Sequence, residues 1–547
     1  MSKLRGNPWA ILTILSIGFF MTLIDLTIVN VAIPQMVDKL HASLDQVLWV
    51  INAYTLVLAV LMITAGRLGD LRGKKMLFLA GIAVFTLASL ACGLAQNPGE
   101  LIAFRAIQGG GAALLLPQTM SIIVETFPHE TRGIALGIWG AVAGLSGAVG
   151  PTVGGVLVTE VGWRWVFYVN VPLGILVLIA GPAIIPAVPP SQRHRFDITG
   201  VVLATASLFC LVYALTEGQK YAWNGWIWVL IGAAVVLFVG FLVQQRSQQD
   251  NEPLLPFVLF RDRNFSVMNF VGVAVMFGVI GLFLPMTIYL QSVLGFSALK
   301  AGLVLLALAL GAMVTAGPAG VLAEKLGAKY ILIAGLSAYG GSMLWLMSAV
   351  GIGKSWTAVV GPLFLMGLGV GCTFSPMAAE IMRNVPLSLS GAASGVSNAL
   401  RQVGSVLAGA VIGAVLQTQL ATSLGTEAAR FSGAVPPVFR AKFVAGFAHA
   451  SSKGLQVGAG QTGDAQAFKG VPASIASHIQ AVGAEVFDHG YVNAMKPTLV
   501  LTACALFVGA AACLLVKAIR GASANPHGIP VPDVEAGAAA DEVSRVG

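Results

Sequence analysis

The chain has 547 residues, of which 57% are hydrophobic and only 10% charged, with a mean hydropathy of +0.85. Soluble globular domains carry about 25% charged residues, so that class is excluded and a polytopic membrane protein is indicated. The net charge of +8 would suit nucleic acid, but the basic residues lie in short loops, about 17 on one side of the apolar runs and about 5 on the other, which explains the charge without a nucleic-acid partner.

Fourteen apolar runs follow one another, centred from Phe20 in the first to Phe507 in the last. Each has roughly 20 residues and is expected to be a helix, because backbone groups in hydrocarbon have to be satisfied within the segment. The first run follows Lys3 and Arg5 as a secretory leader would, but it is too long for one and lacks a small-residue cleavage site, so it reads as a retained helix. Assigning the Lys/Arg-rich side to the cytoplasm places both termini there.

The first run holds Asp25 in "LIDLTIVNVAIP" and the fourth holds Arg105 in "RAIQGGG". A lone charge at mid-bilayer costs about 2.5 to 3.5 kcal/mol even on lenient insertion scales, so each needs a reason. Counting about 1.5 Å per residue along each helix places the two at similar depth, where they can offset each other's desolvation. A static ion pair and a proton-binding site both fit this placement. Thr22, Thr27 and Asn30 add polar groups to the first run, and Gln108 adds one to the fourth.

Between the second and third runs stands "GRLGDLRGKK", Gly66 to Lys75, and between the tenth and eleventh "GVLAEKLGAK", Gly320 to Lys329. They match in kind at a separation of 254, and Pro128, Gly133 and Gly137 match Pro386, Gly391 and Gly395 at 258. The repeat is parallel with a six-helix unit, so the seventh and eighth runs are an insertion: a 6 + 2 + 6 all-α membrane protein. In the first loop Asp70 is expected just ahead of the third helix, meeting a helix N-terminus or Arg72, while Gly66 and Gly73 permit close approach and a sharp turn. With Lys74 these residues read as a latch between the halves. The fifth run carries Gly144, Gly150-Pro151 and Gly154-Gly155. That spacing lets helices approach closely, and Pro151 invites a kink.

The thirteenth run puts Ser394, Asn398, Arg401 and Ser405 on one face, with Arg401 near mid-membrane. An unpaired cation there attracts anionic or polar cargo; a purely structural arginine bonded to backbone fits equally. The boundaries read 1–190 for the first half, 191–262 for the inserted pair and 263–420 for five helices of the second half. An outer loop at 421–495 follows, with two short amphipathic helices over Phe439–Phe447 and Val471–Val486. The last helix is 496–520, and 521–547 reads as a disordered tail. All five cysteines fall in apolar runs without metal-ligand spacing. The seven histidines lie in loops or tails, and no Gly-rich loop ends in Gly-Lys-Ser/Thr, so no enzyme, metal, cofactor or ATP site is expected.

Taken with "GLSGAVGPTVGG", "WRWVFYVNVPLG" and "GAASGVSNALRQVG", these stretches make the chain resemble the fourteen-helix drug:proton antiporter branch of the major facilitator superfamily, the EmrB/QacA type. The resemblance implies Asp25 as proton-coupling acid and Arg105 as its modulator, with the loop Gly66–Lys75 as conformational latch and the helix 5 motif as an antiporter feature. It also implies small-molecule and proton substrates, monomeric function and a bacterial plasma-membrane location. Thr22, Asn30, Gln108, Asn398 and Arg401 are the candidate cavity residues. The tenth run lacks the acid that some exporters of dications carry, so dicationic cargo is not expected. An exporter of a self-made metabolite or lipid, a metabolite importer and a non-transporting sensor remain alternatives.

Overall fold

The computed structural model describes residues 6–40, 42, 44–186, 197–218, 221, 223–249, 253–386, 389–450 and 473–517. The tail 521–547 lies outside the described residues. Six helices form the first half: α1 Pro8–Lys39, α2 Leu44–Arg72, α3 Lys74–Leu94, α4 Pro98–Thr126, α5 His129–Glu160 and α6 Asn170–Ile184, the last entered through a short turn, Trp165–Tyr168. The insertion is α7 Ile198–Glu217 and α8 Gly225–Ser247. The second half is α9 Arg263–Ile288, α10 Ala298–Leu326, α11 Ala328–Ala349, α12 Thr357–Met382, α13 Ser390–Phe431 and α14 Ala473–Ala512. Among the described residues thirteen helices are long and apolar enough to cross a membrane, and α5 makes the fourteenth if its two parts, inclined at 42°, count as one span. That bend falls between Gly147 and Thr152, the stretch where Pro151 has no amide hydrogen to give.

Local chemistry sets the helix starts. Asn7, Asn97, Asp197, Asn224, Asp262 and Ser297 each accept a bond from the first turn of the helix they precede. At Asn97 the cap is reciprocal: Glu100 N–H donates to Asn97 Oδ1 at 2.9 Å while Asn97 Nδ2 donates back to Glu100 Oε1 at 2.7 Å.

The sequence repeat reappears in the backbone. Gly73 and Gly327, matched residues at the heads of α3 and α11, have φ of 98° and 93°, a left-handed conformation that only glycine adopts cheaply. The repeat glycines also form the two crossings between halves. A Cβ on Gly66 of α2 would lie 2.5 Å from the Gly391 carbonyl of α13, and one on Gly320 of α10 would lie 2.6 Å from the Gly133 carbonyl of α5. The pairs α2–α13 and α10–α5 thus meet backbone to backbone at the face carrying the Gly66–Lys75 loop, called here the loop face. The inserted pair packs on itself, and α7 leans on α2 and α13.

At the opposite face α13 does not stop near residue 420. Leu416, Leu420, Leu424 and Ala428, four residues apart and buried, carry the helix on to Phe431. They face α14, where Val486, Phe487 and Tyr491 are buried. The stretch from Ala473, expected to be a separate short helix, is therefore the first part of a continuous 40-residue α14. His478 and His489 lie within it rather than in a loop. The polar outer face, Gln417, Thr418 and Thr422 among others, lowers hydropathy without breaking the helix. A helix Pro437–Ala450 covers the stretch Phe439–Phe447, with Phe443 and Phe447 buried. Leu424→Ala is expected to destabilise the protein by about 2–5 kcal/mol, read as a lower thermal midpoint in detergent.

Candidate functional site

The first half encloses a charged cluster with no open surface: Asp25 is 0% and Arg105 1% exposed. Asp25 lies about 25 Å along α1 from its loop-face end. Arg105 Nη1 on α4 forms an ion pair with Asp25 Oδ2. The other carboxylate oxygen, Oδ1, accepts from Gln108 Nε2 at 3.0 Å and from Asn170 Nδ2 of α6 at 3.1 Å. Gln108 is oriented by its neighbours: its Oε1 accepts from Arg105 Nη1 at 2.7 Å, which leaves its amide hydrogens for Asp25.

The guanidinium is held from all sides. Arg105 Nε donates to the Val50 carbonyl of α2 at 3.0 Å, and the Tyr54 ring lies 4.2 Å from Cζ, with the Phe167 ring at 5.8 Å. Tyr54 in turn donates to the Thr22 carbonyl at 3.3 Å. Asn170 Nδ2 also reaches Ser89 Oγ of α3 at 3.1 Å. Among the described residues the groups bonded to the carboxylate, Arg105, Gln108 and Asn170, are all donors.

Gln108 therefore sits beside the acid rather than in a separate cavity. Thr22 is buried with its hydroxyl donating to Phe19 O at 2.8 Å. Asn30, Gly144 and Pro151 fall on positions whose side chains lie outside the described residues. Gly150 and Gly154 pack on α1 immediately past Asp25: a Cβ at Gly150 would lie 2.8 Å from Thr27 Cβ, and one at Gly154 2.8 Å from Ile28 Cγ1. Gly155 is buried. Sequence reasoning missed Tyr54, Ser89 and Asn170. Of these only Asn170 carried a signal, as the polar residue of "WRWVFYVNVPLG".

At the loop face Asp70 lies in the last turn of α2, not ahead of α3, and the helix N-terminus it meets is that of α13. Its two oxygens accept from the Gly391 and Ala392 amides at 3.0 and 2.8 Å. These amides have no intrahelical partner, and the helix dipole favours a carboxylate there. Lys74 Nζ lies 3.3 Å from Asp70, pairs with Glu125 of α4 and donates to Ser390 Oγ at 2.6 Å. Ser390 Oγ also meets Ser121 Oγ at 2.8 Å, and Ser394 Oγ donates to the Pro117 carbonyl at 2.9 Å. Arg72 is exposed.

A sequence model described as Major Facilitator Superfamily matches residues 15–409. The chain belongs to the major facilitator superfamily. Within the superfamily it is 41% identical to an uncharacterized MFS-type transporter of Mycobacterium tuberculosis, over 74% of this chain and 69% of that one. It is 37% identical to the tetracenomycin C resistance and export protein of Streptomyces glaucescens, over 75% and 76%. It is 34% identical to the multidrug resistance protein Stp of M. tuberculosis, over 74% and 76%. The solved human organic anion transporter MFSD10 superposes with a TM-score of 0.56 at 12% identity, covering 74% of this chain and 93% of that one, and supports the fold alone. The major facilitator chain is thus a multi-pass plasma-membrane transporter of small molecules, not an enzyme.

Proposed function

We propose that the chain exports apolar drugs, antibiotics or related metabolites across the bacterial plasma membrane in exchange for protons, as a monomer with both termini cytoplasmic. Asp25 is the proton-binding group and Arg105 its competing counter-charge. The observation that carries this reading is the sealed Asp25–Arg105 pair, bound by donors only, in a chain whose relatives bear the names of drug-resistance and export proteins.

In the observed state the loop face is closed and Asp25 is paired with Arg105. A proton arriving from outside neutralises the carboxylate and removes the charge that Arg105 answers. Arg105 then rests on Tyr54 and the Val50 carbonyl. The halves rock, the Asp70 cap and Gly66 crossing part, and cargo enters from the cytoplasm. Loss of the proton to the cytoplasm restores the ion pair, the latch recloses, and cargo leaves on the far side. One proton crossing about 100 mV releases about 2.3 kcal/mol, enough for a roughly fiftyfold gradient of a neutral cargo.

A susceptibility panel in a pump-deficient bacterial host tests the proposal. The intact chain is expected to raise tolerance to at least one apolar aromatic antibiotic, and Asp25→Asn is not. Tolerance unchanged for every compound removes drug export as the function.

A further inference from the structure

We propose that the seam between the halves carries an anion-binding cargo site centred on Arg401, and that the cargo it takes is a planar aromatic acid. This rests on the export reading above and adds to it the chemistry of what is carried. Arg401 lies about 17 Å into α13 and Trp139 about 15 Å into α5, both near the middle of a hydrocarbon layer about 30 Å thick. The guanidinium reaches across the seam to lie 5.8 Å from the Trp139 ring of the opposite half.

Arg401 differs from Arg105 in having no acid. Among the described residues the carboxylate ion pairs leave it out, and its one hydrogen bond runs from Nη2 to Asn398 Oδ1. Asn398 is turned that way because its own amide donates to Ser394 O at 2.9 Å and Ser394 Oγ at 3.3 Å. Arg401 keeps 9% of its surface open, so most of its five N–H donors await an acceptor.

Two further groups nearby lack partners. Ser397 Oγ, one turn before Arg401, and Asn269 Oδ1 on α9 are buried without a hydrogen bond. Asn269 precedes by three residues Gly272, against which the Arg401 stem packs, a Cβ there lying 3.3 Å from Arg401 Cγ. Buried polar groups without partners are rare in native structures. The Ser397 hydroxyl, able to donate one turn before the Arg401 fork, fits a site that an anion completes, whereas Asn269 Oδ1, an acceptor, does not contribute to holding an anion.

The rest of the site is apolar and closed in this state, with Trp139 only 2% exposed, so its ring becomes available to a cargo only as the seam opens. Trp139 stacks on Phe19 of α1, ring centroids 4.2 Å apart and planes 15° from parallel, and its indole N–H is spent on Thr119 Oγ1 at 3.2 Å. A planar fork suits a carboxylate or phenolate, and a stacked indole suits an aromatic plane. A cationic cargo would meet an unneutralised like charge. With one proton in and one anion out, each turnover moves two charges inward, so voltage drives such a cargo more strongly than a neutral one.

The test is binding of three probes by the purified full-length protein, followed by tryptophan fluorescence: anthracene-2-carboxylate, the neutral 2-anthracenemethanol and the cationic 2-(aminomethyl)anthracene. The acid is expected to bind about tenfold more tightly than the alcohol, with the amine weakest. Arg401→Gln should erase the acid's advantage over the alcohol, with the variant's circular dichroism in detergent serving as the control for folding. Asn398→Asp, which supplies an internal counter-ion and keeps Arg401, should erase it as well. Equal binding of acid and alcohol by the intact chain, or an advantage that survives either substitution, overturns the proposal. A chain that exchanges protons for the alcohol but shows no preference for the acid loses this inference alone. One that prefers the acid through Arg401 yet exchanges no protons loses only the antiport reading.

Discussion

Asp25→Asn is expected to abolish proton-driven export while sparing cargo exchange. In everted vesicles energised to an acid lumen, uphill accumulation of a neutral cargo should fall from roughly fiftyfold to none, because the 2.3 kcal/mol or so per proton is no longer harnessed. Counterflow of labelled against unlabelled cargo needs no proton and should persist. The substitution also has a structural effect. Asparagine can still accept from Gln108 and Asn170, but Arg105 loses its counter-ion inside the bundle, and breaking one side of a buried pair typically costs about 3–5 kcal/mol.

The double variant Asp25→Asn with Arg105→Gln separates the two effects. Removing both charges should restore much of the thermal stability lost by the single variant, yet leave accumulation at zero. If coupling returns along with stability, the pair is a structural tie and the proton binds elsewhere. If Asp25→Asn accumulates cargo as the intact chain does, Asp25 has no part in coupling.

Gly66→Val is expected to open the loop face. A Cβ at Gly66 meets the Gly391 carbonyl at 2.5 Å and Gly395 Cα at 2.8 Å. Both are backbone, so no side-chain rotation relieves the clash and the two helices have to separate. Overpacking of this kind costs about 1–3 kcal/mol, a shift in the closed population of roughly 5- to 150-fold. Hydrogen exchange over the start of α13 reads it directly, since the Gly391 and Ala392 amides are protected by Asp70. Exchange there should quicken by the same factor and export should fall with it. Gly320→Val, the counterpart in the second half, should act alike. Gly232→Val has nothing within 4 Å to strike and should do nothing. Unchanged exchange and full export in Gly66→Val would mean that the crossing does not govern access.

The helices and the repeat were legible because hydrocarbon enforces simple rules: apolar runs long enough to span, and glycines wherever two backbones touch. Asp25 and Arg105 were legible because a charge is conspicuous in oil. Asn170, Ser89 and Tyr54, which complete their surroundings, were not, since uncharged polar residues are common in membrane helices and nothing in their spacing points to a carboxylate on α1. Asp70 was legible as a residue that meets a helix N-terminus, but which helix was not: the amides it caps lie 321 and 322 positions further along the chain. The end of α13 was misplaced because hydropathy averages both faces of a helix, and a continuous leucine seam is hidden when the other face is polar.

Because α13 is unbroken, it joins two places that would otherwise be independent. Its first turn is held by Asp70, and its last turns stand beside α14 at the other end of a rod about 63 Å long. A tilt of about 10° at the base would sweep the tip by roughly 11 Å. Fluorophores or nanobodies placed on that protruding pair of helices would report the state of a gate on the opposite side of the membrane. A binder that clamps them should halt the pump without entering it.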